Sequence, residues 1–219
     1  KIIIFIMLLI QSSFIFASEE IYLEKAPINL SDQPSLQKGA RTFINYCLNC
    51  HSAKYMRYNK LLDIGLSKKD IKENLLFTGK KIGDPMEISM PVAESKKWFG
   101  ATPPDLSVVA RSRGSDWIYS YMKGFYRDSS REIGWNNIVY VNSAMPHILW
   151  ELQGEKELDQ KTGKLSLIKA GKLNEKEYDS VITDLTNFIT YMSEPGQLKR
   201  KKMGFYVVGF LLLLLVLTV

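Results

Sequence analysis

Only two cysteines occur in this chain, and a histidine directly follows the second: Cys47-Leu48-Asn49-Cys50-His51. This triplet restricts the fold more than any other feature, because each chemistry open to it demands a different surrounding architecture. A thioredoxin-like redox site wants a βαβ context, which the flanks do not offer. A zinc site needs about four ligands, and the chain holds no second cysteine pair and one further histidine, His147. A structural disulfide leaves His51 without a role. Covalent haem uses all three residues. The two thiols add to the porphyrin vinyl groups, and the next residue turns its imidazole onto iron from the same side. The triplet therefore reads as the attachment site of one covalent haem c, with His51 as an axial metal ligand.

The ends of the chain say where that haem resides. Residues 1–17 run from Lys1 through a short apolar core to Ala17, the pattern of a cleaved secretory signal peptide. Met203 to Val219 carries no charge over 17 residues, about 26 Å as a helix and close to the lower limit for crossing a bilayer. The organisation expected is a signal peptide at 1–17, an extracytoplasmic haem domain at 18–198, and a basic cluster with transmembrane anchor at 199–219. The cluster, Lys199-Arg200-Lys201-Lys202, opposes the positive-inside tendency, but long domains translocate largely regardless of charge, and lysines can snorkel to lipid headgroups. Setting aside Lys1 and that cluster leaves 24 basic residues against 23 acidic ones. The body is thus near neutral, the high pI belongs to targeting and anchoring, and nucleic-acid binding loses its main support.

Leu36, Ala40, Phe43, Ile44 and Cys47 fall on one face of a helix, with Asp32 or Ser31 placed to cap it and Pro34 in its first turn. Gly39 is either neutral there or permits another helix to come close. A second helix spans about Glu175 to Ser193, striped by Tyr178, Val181, Ile182, Leu185, Ile189 and Met192, and is the natural partner of the first. Ser115 to Tyr126 reads as a third, with Ser115 as its cap. Residues 152–173 read as a surface hairpin. The fold class expected is mainly α, with long irregular connections.

An electron-transfer haem usually keeps both axial positions filled, and a Met opposite the His raises the potential. Met122 and Met192 fall on apolar helix faces, and Met56 is very near the attachment site. Met86 and Met90 remain candidates. Met145, in Asn142-Ser143-Ala144-Met145-Pro146-His147, is the preferred one, because Pro146 stiffens the backbone just after the thioether. His147 is a rival that, two residues on, is expected to face away from iron, toward solvent or a backbone acceptor. In Gly100-Ala101-Thr102-Pro103-Pro104-Asp105-Leu106-Ser107 two prolines fix an extended turn. Asp105 or Ser107 is placed to cap a short helix, and a rigid carbonyl there is placed to accept the Nδ1 proton of His51. Arg111 or Arg113 is a reasonable partner for a haem propionate.

Taken together, Cys47-Leu48-Asn49-Cys50-His51-Ser52, the Gly100–Ser107 segment, Ala110-Arg111-Ser112-Arg113-Gly114, Ala144-Met145-Pro146 and the basic cluster before an anchor resemble the cytochrome c1 family, in its proteobacterial form. The resemblance implies a cytochrome c-like haem domain with a C-terminal transmembrane helix. It implies that Met145 is the sixth ligand, that Arg113 meets a propionate, and that Pro103 and Pro104 lie against the haem. It also implies a role as a redox subunit of a ubiquinol–cytochrome c reductase in the bacterial inner membrane, with the haem domain in the periplasm. Electrons would come from a Rieske iron–sulfur protein and leave to a soluble or anchored cytochrome c, with cytochrome b and membrane lipid beside the anchor. The alternative is a free-standing anchored cytochrome serving another oxidase or dehydrogenase. One departure from mitochondrial members is Pro146-His147-Ile148 after the Met, where they carry Ala-Pro-Pro.

Overall fold

A computed structural model describes residues 22–88 and 90–218; the expected signal peptide lies outside them. The described residues begin with an extended strap whose Glu24 and Ala26 N–H groups donate to Ser120 Oγ (2.7 Å) and Asp116 Oδ1 (2.8 Å). Asp32 then accepts the Ser35 N–H at 3.1 Å and starts α1 (Gln33–Thr42), with Pro34 in the first turn. The helix widens without a break into a π-helical turn, Phe43–Cys47. Leu36, Ala40, Phe43, Ile44 and Cys47 are all buried, as the spacing requires.

Next come β1 (Ala53–Arg57), a 3-10 helix (Tyr58–Ile64), α2 (Lys68–Asn74), β2 (Pro85–Met86) and α3 (Val92–Phe99). Then follow α4 (Val109–Arg113), α5 (Ser115–Lys123), β3 (Phe125–Arg127), β4 (Trp135–Asn137) and α6 (Trp150–Gln153). The chain closes with β5 (Gly154–Leu158), β6 (Leu165–Ala170), α7 (Glu175–Ser193) and α8 (Gln197–Thr218). The strands form three separate antiparallel pairs, β1–β2, β3–β4 and β5–β6. The last is the expected surface hairpin.

α1 and α7 cross at the centre of the core, and Gly39 is why they come so close. A Cβ on Gly39 would lie 2.0 Å from the Asp184 carbonyl oxygen and 2.7 Å from Phe188 Cβ. Phe43 and Phe188 meet beside this crossing with ring centroids 5.6 Å apart. Asn187, fully buried, ties α7 to the strap: it donates to the Asn29 carbonyl (2.8 Å) and Ser35 Oγ (3.0 Å) and accepts from the Asn29 N–H (3.0 Å). α7 begins at a reciprocal cap between Asn174 and Glu177.

Two expectations change here. The third helix ends at Lys123 rather than Tyr126, because Phe125 and Tyr126 enter the β3–β4 ladder opposite Asn137 and Asn136. Ser115 does not cap it; its hydroxyl pairs with Thr190 Oγ1 of α7 at 2.8 Å. α8 is 22 residues long, buries none of its side chains, and is long and apolar enough to cross a membrane. Arg200 in its first turns pairs with Glu194 (3.1 Å from Nη2 to Oε2).

Candidate functional site

The end of the π turn, the Pro103–Pro104 segment, α4, α5, α7 and the loop after β4 enclose a cleft of about 1470 Å³, counted to its open mouth. Ile118 and Met122 of α5 and Leu185 and Ile189 of α7 give it an apolar floor. Its walls bring together Cys47, Cys50, His51, Pro103, Pro104, Arg113 and Met145, every site residue expected from the sequence.

The π turn delivers the first wall. Its last residue is Cys47, and the Cys50 and His51 N–H groups both return to the Cys47 carbonyl (3.1 and 2.9 Å), so the triplet curls over one spot. The two cysteines are not joined in a disulfide. Burial, reinforced by the neighbouring Cys50, pushes the Cys47 thiol up to about 12, so it is held neutral. His51 Nδ1 donates to the Pro104 carbonyl at 2.8 Å, which leaves Nε2 as the ring's lone-pair nitrogen. Burial lowers the His51 pKa, opposed by that hydrogen bond and by Asp105.

The proline segment is held in place because two side chains, Asp105 and Ser107, and the Leu106 amide stitch it down. Leu106 N–H donates to the Ser52 carbonyl (2.8 Å) and Lys54 N–H to Asp105 Oδ2 (2.9 Å). Tyr55 N–H donates to Ser107 Oγ (3.1 Å), and Ser107 N–H to Asp105 Oδ1 (2.8 Å). Asp105 and Ser107 therefore do not cap the following helix as expected: α4 begins at Val109 after Val108, with no side-chain cap, and both polar groups are spent on fixing Pro103–Pro104 against β1.

The Met145 loop also lines the cleft. Met145 N–H donates to Ser143 Oγ (3.2 Å), which in turn pairs with the Tyr121 hydroxyl at 2.7 Å. Asn137 Oδ1 accepts from Val139 N–H (2.8 Å) and Tyr140 N–H (3.2 Å), and Asn136 Oδ1 accepts from Asn142 N–H (2.8 Å). The last contact steadies Asn142, which takes a left-handed backbone (φ 62°). Met86 is buried in β2 opposite Ala53, Met56 and Met192 are buried elsewhere in the core, and Met90 does not reach the cleft. Met122 does reach it, as part of the α5 face.

Arg113 sits at the rim with its guanidinium 5.2 Å from the Trp117 ring and 5.8 Å from Tyr140. Among the described residues it has no carboxylate partner. Arg111 does not line the cleft and acts electrostatically on Glu194 instead. His147 turns away from the cleft as expected, but into the core beside Gln153 rather than toward solvent or a backbone acceptor. It is 1% exposed, and burial pushes its imidazole down to about 4, so it is neutral.

These residues fit a covalently held haem: one cleft lined by two cysteines, an oriented imidazole, a thioether and a guanidinium with no carboxylate partner among the described residues. The sequence reading missed the support of the Met145 loop. Trp117 and Tyr121, four apart on α5 and stacked at 4.8 Å, offered a helical-spacing signal; the consecutive buried amides of Asn136 and Asn137 offered none.

Comparison with known proteins agrees. The Cytochrome C1 family matches residues 22–87 and 79–219. A cytochrome c1 of Allochromatium vinosum is 44% identical over 207 residues, covering 90% of this chain and 85% of the relative. A protein of Nitrosomonas europaea named ammonia monooxygenase gamma subunit is 46% identical over 202 residues, covering 92% and 86%. A solved structure described as a hyperthermophilic respiratory Complex III aligns with a TM-score of 0.45 at 14% identity, over 99% of this chain and 89% of that one.

Proposed function

The chain belongs to the cytochrome c1 family, and from that premise we propose how its residues carry out the family's work. Members hold one covalent haem c and serve as the electron-transfer subunit of the bc1 complex, and so does this one. Cys47 and Cys50 would hold the haem through thioethers, His51 and Met145 would ligate its iron, Pro103 and Pro104 would pack against it, and Arg113 would pair with a propionate. The observation that carries the assignment is the His51–Pro104 hydrogen bond at 2.8 Å in a cleft that Met145 also lines.

When bound, the haem supplies a one-electron couple, and the protein sets its potential. The Nδ1 hydrogen bond fixes the His51 tautomer and raises the ring's basicity. The Met145 thioether favours the reduced state. The apolar floor excludes water, which keeps the site from rearranging between redox states. Arg113 offsets propionate charge at the rim.

In this reading residues 1–17 are removed on export, 18–198 form the periplasmic domain, and 199–219 anchor it in the inner membrane. Electrons arrive from a Rieske iron–sulfur protein and leave to a cytochrome c, with cytochrome b beside α8. The experiment is a tagged full chain solubilised from membranes in mild detergent, followed by a reduced-minus-oxidised spectrum of what co-purifies. A c-type band with b-type haem and quinol–cytochrome c reductase activity is expected. A c-type band alone supports an independent anchored carrier, and co-purifying monooxygenase polypeptides would move the partner assignment to the enzyme named for the Nitrosomonas relative. No covalent haem would refute the reading.

A further inference from the structure

We propose that His147 is a positioning residue for Met145: its ring, wedged in the β3–β4 platform, clamps the downstream end of the loop and holds the thioether in the cleft. This rests on Met145 being the axial ligand. The upstream end of the loop has two anchors, the Met145 N–H to Ser143 Oγ and the Ser143–Tyr121 pair. Downstream, Pro146 has no N–H to give. The next backbone hydrogen bond is to the His147 carbonyl, from Trp150 N–H at 3.2 Å. What fixes this side is the His147 ring itself. It lies parallel to Phe125 at 4.8 Å (4° between planes) and edge-on to Trp135 at 5.1 Å (83°).

The chemistry of the ring argues that position, not polarity, is its use. Neither nitrogen makes a hydrogen bond of good geometry; the polar group beside the ring is Gln153, whose Oε1 is close enough to interact with it but is likewise not well paired. Burying polar atoms this way opposes folding, so the gain must come from the flat ring faces. The platform those faces meet is stiff. Phe125 and Trp135 stand on paired strands, and the Arg127 guanidinium covers Trp135 at 3.9 Å. The same ladder carries Asn136 and Asn137, which hold the upstream half of the loop. Both ends of the Met145 segment are therefore referred to one rigid element, the arrangement a ligand needs if it must not shift with redox state.

The test uses the assembled, haem-loaded protein and two readouts on the oxidised form: cyanide affinity, which reports how readily the thioether leaves, and midpoint potential. His147→Ala is expected to bind cyanide roughly tenfold or more tightly and to lose potential. His147→Phe, which restores a flat ring, is expected to return both close to the parent values. If His147→Ala does not accumulate, His147→Leu replaces it, filling space without ring faces, and the same direction is expected. Unchanged cyanide affinity and potential in a variant that merely melts earlier would overturn the clamp. Met145→Ala tests the premise separately: if it keeps the low-spin spectrum and potential of the parent, the ligand assignment itself fails.

Discussion

Gly39→Ala perturbs the fold at its tightest point. The added methyl carbon would stand 2.0 Å from the Asp184 carbonyl oxygen and 2.7 Å from the Asp184 carbonyl carbon, both backbone atoms of α7. Ordinary contact begins at 3.4 Å, so α1 and α7 must part by about 1.4 Å or more at the crossing, enough to forfeit much of the dispersion between facing side chains. The pair involved, Phe43 against Phe188, is fully buried, and strain of this kind costs about 3–5 kcal/mol when backbone rather than a flexible side chain blocks the way. Alanine returns about 1 kcal/mol through its better helix propensity. The net loss is about 2–4 kcal/mol, a fall in Tm of roughly 5–15 °C for a domain of this size. Calorimetry of the purified haem-loaded protein measures it, alongside the Soret band to verify equal haem content. A Tm within a degree or two of the parent, or above it, would refute the close crossing.

Two further outcomes follow from the proline segment and the β5–β6 hairpin. Asp105→Ala removes the acceptor of the Lys54 and Ser107 N–H groups; a loss of about 1–2 kcal/mol is expected for this exposed carboxylate, with a higher midpoint potential, because a looser Pro104 carbonyl leaves His51 less basic and a negative charge beside it is gone, and denaturant titration with potentiometry reads both. Glu155 is held down to about 2, from an ordinary 4.5, by hydrogen bonds from Arg127 and then Lys169. A depressed carboxylate stabilises the fold above its unfolded pKa and loses that contribution as pH falls, so Tm should drop between pH 4.5 and about 2, and Glu155→Gln should flatten that part of the profile.

The sequence made the helices legible wherever a buried stripe was long. The Glu175–Ser193 helix and the α1 face read correctly because apolar side chains recur at helical spacing and the caps, Asp32 and Asn174, are local. The carbonyl acceptor for His51 was also foreseeable, since two prolines leave a backbone few ways to run. What failed did so for tertiary reasons. Ser115, Asp105 and Ser107 all carry the chemistry of helix caps, yet each found a partner distant in sequence: Thr190, the Lys54 amide and the Tyr55 amide. Tyr126 continues a helical pattern but is claimed by Asn136 across a ladder. The destination of His147 was half read: its direction away from the cleft follows from being two residues past Met145, whereas its burial depends on Phe125 and Trp135, which no local signal links to it.

The acceptor that orients His51 is a main-chain oxygen, and this has a consequence for how such a protein drifts over evolutionary time. A side-chain acceptor can be deleted by one codon change; the Pro104 carbonyl survives any substitution at its own position. Variation there can act only through the path of the backbone, by degrees rather than by loss. The imidazole's environment is therefore buffered against single mutations in a way that the thioether's is not, since Met145 can be removed outright. Lineages tuning this centre to a new electron acceptor would find their adjustable positions on the methionine side of the cleft, with the histidine side held as a constant.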